Sequence, residues 1–194
     1  MYFFLVAYAI LGAGLKYIDD AFDEKIFNKK IAYAVAPLLG VLWAYTMFID
    51  AASATILLAI LLGVLLKGKI DNYAHFLGMV VVIAGVIVLG IQLLVVPLIV
   101  LTLAALFDEV GNDFIDKRQY IDDKSVWKKF VGYFFDQRWL TKVVILCLAL
   151  VNVMSIYFFL AMLLFDGAYI LMRGYSQFRL RKFEAVKNKN ILKA

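Results

Sequence analysis

Carboxylates are the residues of this chain best suited to chemistry. Asp19, Asp20, Asp23 and Glu24, then Asp71, then Asp108, Glu109, Asp113 and Asp116 all lie at the ends of long apolar runs. These make up more than half of the fifteen acidic residues. On a helix continuing past Ile18, Asp19 and Asp23 stand at i,i+4, and Asp20 reaches Asp23 at i+3 and Glu24 at i+4. Like charges at such spacings repel one another. A hard divalent cation removes that repulsion: Mg²⁺ is held by one or two carboxylates, waters and phosphate oxygens. Lys16, Lys25, Lys29 and Lys30 offer the alternative, an acidic turn balanced by its own lysines.

In the segment Asp108–Asp116, helical spacing aligns Asp108, Asn112 and Asp116 on one stripe and Glu109 with Asp113 on the next. Lys117 and Arg118 follow at once and suit a diphosphate. The third segment runs Lys67-Gly68-Lys69-Ile70-Asp71-Asn72-Tyr73-Ala74-His75. Gly68 permits a turn, Lys67 and Lys69 suit a phosphate, and His75 suits proton transfer. An ordinary basic turn is the competing reading. The candidates are therefore Asp20, Asp23, Asp113 and Asp116 as catalytic residues. Asp19, Asp20, Asp23, Asp108, Asn112 and Asp113 are the candidate Mg²⁺ ligands, and Lys30, Lys67, Lys69, Lys117 and Arg118 the substrate-binding cations. Asp166, in the last apolar run, is a candidate because intramembrane carboxylates are costly to keep, with Asn152 in the helix before it; a position at the membrane interface is the competing reading. Asp50 reads as structural, and Gly40, Gly63, Gly78, Gly85 and Gly90 read as helix-packing positions.

The chain holds one histidine and one cysteine, Cys147. That excludes a multi-histidine zinc or haem site within one chain and any internal disulfide. No Walker motif, dinucleotide fingerprint, nucleophile elbow or HExxH is present.

The elements that must position these residues are membrane helices. The chain has 194 residues, 65% of them hydrophobic, with mean hydropathy +0.89, against about 45–50% apolar for soluble domains. Its apolar runs are Tyr2–Ile18, Ile31–Ile49, Ala51–Leu66, His75–Phe107 and Val143–Met172. The last two exceed one ordinary span of about 20 residues and suit tight hairpins, turning near Gln92–Pro97 and near Asn152 and Ser155. This predicts an all-α polytopic transmembrane bundle of about seven short helices arranged as hairpins, one domain over residues 1–194. A long tilted helix over Val143–Phe165 is the rival to the second hairpin. Lys and Arg cluster in Lys16–Lys30, Lys67–Lys69, Lys117–Lys142 and Arg173–Lys193, whereas the alternate turns hold none. The positive-inside rule then sets the N-terminus outside and the C-terminus inside a cell membrane. Met1–Leu15 has no basic n-region and reads as a retained helix, not a signal peptide.

Residues 108–142 carry Trp127, Phe130, Tyr133, Phe134, Phe135 and Trp139 among basic residues, the composition of an amphipathic cytoplasmic loop or lid. Residues 174–194 form a basic tail suited to anionic headgroups. The net charge of +5 points to membrane lipids as partners, not nucleic acid, and a homo-oligomer is a further arrangement the chain admits.

Two of these segments give the chain a resemblance to the UbiA-type membrane prenyltransferases. Those proteins carry an N/D-D-x-x-D motif and a D-x-x-x-D or D-x-x-G-D motif at cytoplasmic helix ends. Asp19-Asp20-Ala21-Phe22-Asp23 fits the first, and Asp108-Glu109-Val110-Gly111-Asn112-Asp113 loosely fits the second. The resemblance implies Mg²⁺ bridging both motifs to a prenyl diphosphate, with the isoprenoid in an apolar, aromatic-lined tunnel. The family has nine helices, more than this chain allows. Three functions follow as expectations: a Mg²⁺-dependent prenyl or lipid-phosphate transferase, a transporter or channel for a cation or small solute, and a non-catalytic scaffold subunit.

Overall fold

In the computed structural model the chain is all-α. The structure describes residues 1–70, 72–118 and 125–191, with the side chains of 116–118 and 183–191 outside the description. The described residues form eight helices: α1 (Tyr2–Phe22), α2 (Lys29–Ile49), α3 (Ala51–Lys67), α4 (Tyr73–Leu89), α5 (Val95–Arg118), α6 (Val126–Asp136), α7 (Trp139–Leu150) and α8 (Ile156–Ile191). Four stretches are long and apolar enough to cross a membrane: Tyr2–Phe22, Lys29–Ile49, Val95–Ile115 and Ile156–Lys182. α3, α4 and α7 are shorter apolar helices.

Local chemistry sets the boundaries. Asn28 opens α2 by accepting from Lys30 N–H, and Asp50 opens α3 by accepting from Ala52 and Ser53 N–H, satisfying donors that have no partner inside a helix. Asp50 is structural, as its outer-turn position suggested. Gly68 ends α3 at φ 71° and Gly90 ends α4 at φ 60°, the left-handed conformation that glycine adopts without a steric penalty. Gly90 is thus a helix terminator, not the packing position expected. The long run His75–Phe107 breaks after Gly90, ahead of Pro97, which lies in the first turn of α5. The run Val143–Met172 breaks between Leu150 and Ile156 around Asn152, itself at φ 59°. The long tilted helix over Val143–Phe165 is therefore not formed.

Small residues let the helices approach. A Cβ on Gly12 would lie 2.0 Å from the Phe165 carbonyl oxygen, one on Gly40 2.7 Å from the Gly78 carbonyl oxygen, and one on Gly63 2.7 Å from the Ala105 Cβ. Contacts run in the same order along both members of three pairs: Phe4–Phe158 and Asp20–Ser176 show α1 parallel to α8, Gly40–Gly78 and Ala44–Gly85 show α2 parallel to α4, and Thr55–Leu94 and Lys67–Asp113 show α3 parallel to α5. Successive contacts α1–α2–α3–α5–α7–α8–α1 close on themselves, with α4 against α2 and α6 against α5. The outer surface is apolar: Ile10, Leu38, Val41, Ile87, Val96, Ile99 and Leu171 are all exposed. A water-soluble bundle would not keep such a surface, whereas hydrocarbon requires it.

Candidate functional site

Because of these helix directions, the C-terminal ends of α1, α3 and α5, the N-terminal ends of α4 and α7, and the middle of α8 meet at one end of the bundle. Between them lies a cavity of about 400 Å³. Its body is apolar, walled by Leu39, Trp43, Val64, Met79, Val82 and Met162. Its rim is charged: Asp19, Asp23, Lys69, His75, Glu109, Arg138, Asp166 and Tyr169. All three acidic segments singled out in the sequence thus send residues, or near neighbours, to one cavity.

Asp19 is engaged through both of its carboxylate oxygens. Its Oδ1 lies 2.6 Å from His75 Nε2, and its Oδ2 accepts from the Tyr169 hydroxyl at 3.1 Å. Asn72 caps α4 by accepting from His75 N–H at 2.9 Å, which fixes where the imidazole starts. With Nε2 turned to a carboxylate, the neutral ring carries its proton there and keeps Nδ1 as an acceptor. Tyr169 was missed in the sequence. It lies 150 residues from Asp19, and only the stripe Met162, Phe165, Asp166, Tyr169 at helical spacing hinted at a shared face.

Asp20 faces elsewhere. It is 2% exposed, pairs with Lys16 Nζ at 2.9 Å and accepts from Ser176 Oγ at 2.5 Å. It ties α1 to α8 and does not line the cavity. Asp23 does line it, just beyond the end of α1.

On α5 the two stripes divide. Glu109 lines the cavity, 2.7 Å from Lys69 Nζ and 2.7 Å from Arg138 Nε. Asp113, one turn on, sits 2.8 Å from Lys69 Nζ and 2.7 Å from Lys67 Nζ. Burial pulls the Lys69 ammonium down, but its hydrogen bonds to Asp113 and Glu109 outweigh that and hold it above the ordinary lysine value. Asp108 belongs to the other stripe and is buried. Its carboxylate accepts from Leu140 N–H at 3.1 Å and from Thr141 N–H and Oγ at 2.7 Å each. It caps α7 from a neighbouring helix, where Arg138, at φ 49°, gives no side-chain cap. Asn112 does not line the cavity.

Lys30 sits in the first turn of α2, exposed and away from the cavity. Lys67 pairs with Asp113 and does not line the cavity. The side chains of Asp116, Lys117 and Arg118, and Asp71 as a whole, lie outside the described residues. Asp166 lines the cavity, paired with the buried Lys142 at 2.5 Å. Lys142 also donates to the Gln137 carbonyl and lies 4.8 Å from the Trp139 ring centroid. Asn152 lies in the turn at the far end of α7, so it is not brought together with Asp166.

The donor set bears on Mg²⁺. Asp19, Asp23 and Glu109 come from both aspartate-rich segments and share one rim. Yet Asp19 and Glu109 are taken by protein donors on both oxygens, Asp20 and Asp108 face away, and no three metal-ligating side chains gather among the described residues. Among the described residues, the carboxylates as arranged are not a prebuilt bridging site. They form an ionic rim around an apolar cavity, able to hold a polar head above an apolar tail. The chain matches no protein-family model, no curated protein and no solved structure.

Proposed function

We propose that this chain is an integral membrane enzyme acting on a phosphorylated amphipathic lipid, of which the isoprenoid diphosphates are the class its motif resemblance implies. One observation carries the reading: an apolar cavity closed at one end by Asp19, Asp23 and Glu109 interleaved with Lys69, Arg138 and His75. Seven apolar helices cross the cell membrane, with the N-terminus outside and the ionic rim at the cytoplasmic face, where the Lys and Arg residues concentrate.

The lipid tail lies against Leu39, Trp43, Val82 and Met162. Its anionic head takes Lys69 and Arg138 from Glu109, and their charge offsets the charge that develops on a departing phosphate. His75, oriented by Asp19, accepts a proton from the attacking group through Nδ1. The apolar walls keep water from competing. No step is assigned to Mg²⁺, because the donor set is not assembled for it.

The test is thermal unfolding of the detergent-purified chain with geranylgeranyl diphosphate, with and without Mg²⁺. A ligand that binds only the native state at 100 times its Kd stabilises by about 2.7 kcal/mol. The expected result is a rise in Tm with the diphosphate that is lost in Lys69→Ala. No rise under either condition overturns the reading.

A further inference from the structure

The apolar side of α6 faces away from the protein. The helix rests on the end of α5 through Phe135, whose ring lies 2.1 Å from where a Cβ on Gly111 would stand, and through buried Gly132. The opposite arc carries Val126, Trp127, Phe130 and Tyr133, exposed by 84, 70, 57 and 55%. At about 100° per residue these four form one continuous strip. Trp127 stacks on Phe130 with ring centroids 5.7 Å apart, and Phe134 lies 6.3 Å beyond Phe130 with its ring tilted by 39°. Lys129 stands at the edge of that strip, exposed.

A helix of a soluble domain turns such a strip toward the core. Here it points outward, and the helix it packs on, α5, also exposes Phe107, Val110 and Phe114 toward its end. Trp and Tyr favour the membrane–water boundary, and the lysine at the strip's edge, Lys129, suits a lipid phosphate. We propose that α6 is an interfacial anchor, lying in the plane of an anionic phospholipid surface with the Trp127–Phe130–Tyr133 strip among the upper acyl chains. Its far end leads through Gln137 to Arg138, the partner of Glu109 at the cavity rim. The depth of α6 in the lipid therefore sets the height of a rim cation.

The chain has three tryptophans, Trp43, Trp127 and Trp139. The full chain carrying Trp43→Phe and Trp139→Phe keeps Trp127 as its only indole. Reconstituted in nanodiscs of phosphatidylcholine and phosphatidylglycerol, its fluorescence is measured with lipids brominated near the headgroup, with lipids brominated near the chain end, and with aqueous acrylamide. Strong quenching by the first, weaker quenching by the second and protection from acrylamide are expected. Free access of acrylamide with no effect of either bromolipid overturns the proposal, because α6 then stands in water as a lid or protein-docking helix would. If the double variant misfolds by circular dichroism, Cys147→Ala with Trp127→Cys carries a fluorophore at the same position, and the same quenching pattern decides.

Discussion

Consecutive residues on a helix point about 100° apart, and Asp19 and Asp20 use that angle. Asp19 turns to the cavity and its histidine, while Asp20 turns into the α1–α8 seam and its lysine. Their variants should separate accordingly. Asp20→Asn loses a charged partner for Lys16 and should destabilise the bundle by about 1.5–3 kcal/mol, read as a lower Tm, while the folded fraction still binds ligand. Asp19→Asn should keep Tm close to wild type and abolish turnover. A pH prediction belongs to Lys69. Its folded value is raised, so its contribution is complete below the ordinary lysine value near 10.4 and fades only as pH climbs through the folded value. Wild type and Lys69→Met should differ in Tm across the neutral range and converge only in strong alkali. The periodicity of α5 made two carboxylate stripes legible, but not that Glu109 faces the cavity while Asp108 caps α7. That choice depends on which helix packs on which side. The partners Tyr169, Ser176, Thr141 and Arg138 were likewise out of reach, because nothing local links them to α1 or α5.

At the scale of elements, glycine decides how close the helices come. Gly12 lies against the backbone of Phe165, so a methyl group there has only main chain to displace. Gly12→Ala gains up to about 1 kcal/mol of helix propensity, but forcing α1 from α8 should cost about 1–3 kcal/mol. The net result is a lower midpoint in denaturant or thermal unfolding, and an unchanged midpoint would remove the close α1–α8 approach as a source of stability. The helix breaks were legible because Gln92, Pro97, Asn152 and Ser155 interrupt otherwise uniform apolar sequence, although Gly90 was read as a packing position rather than the terminator it is. The pairing order was not, since parallel contacts such as α1 with α8 join the two ends of the chain. α7, with twelve residues, rises only about 18 Å, less than the roughly 30 Å hydrocarbon core. Where it spans, the bilayer thins or the helix ends carry polar groups to the interface.

For the whole molecule, separation of charge is the organising feature: Lys and Arg gather at the rim end, while the turns at Asp50, Gly90–Leu94 and Val151–Ser155 hold none. In a Cys147→Ala background, Gln92→Cys should react with an impermeant maleimide on intact cells, and Glu24→Cys only after lysis. The reverse pattern would invert the proposed orientation. Composition made an all-α bundle with helices long and apolar enough to cross a membrane legible at once, because soluble domains are rarely so apolar. The cavity was not legible, since it is the space left where several helices fail to touch.

The rim is electrically closed on itself, and that makes ligand binding an exchange. Lys69 and Arg138 already hold Glu109, and Lys69 also holds Asp113. An incoming anion that draws these cations away strips a carboxylate of its partners in a partly dry place, where bare charge is costly. Something positive must therefore enter with the ligand: a proton on the carboxylate, or a metal ion riding on the phosphate. Titration calorimetry in buffers of different ionisation enthalpy counts the protons, and repetition across Mg²⁺ concentrations counts the ions. Proton uptake predicts affinity that rises as pH falls, and ion uptake predicts affinity that rises with Mg²⁺. An exchange with neither would mean that the lysine and arginine keep their carboxylates and the head binds elsewhere.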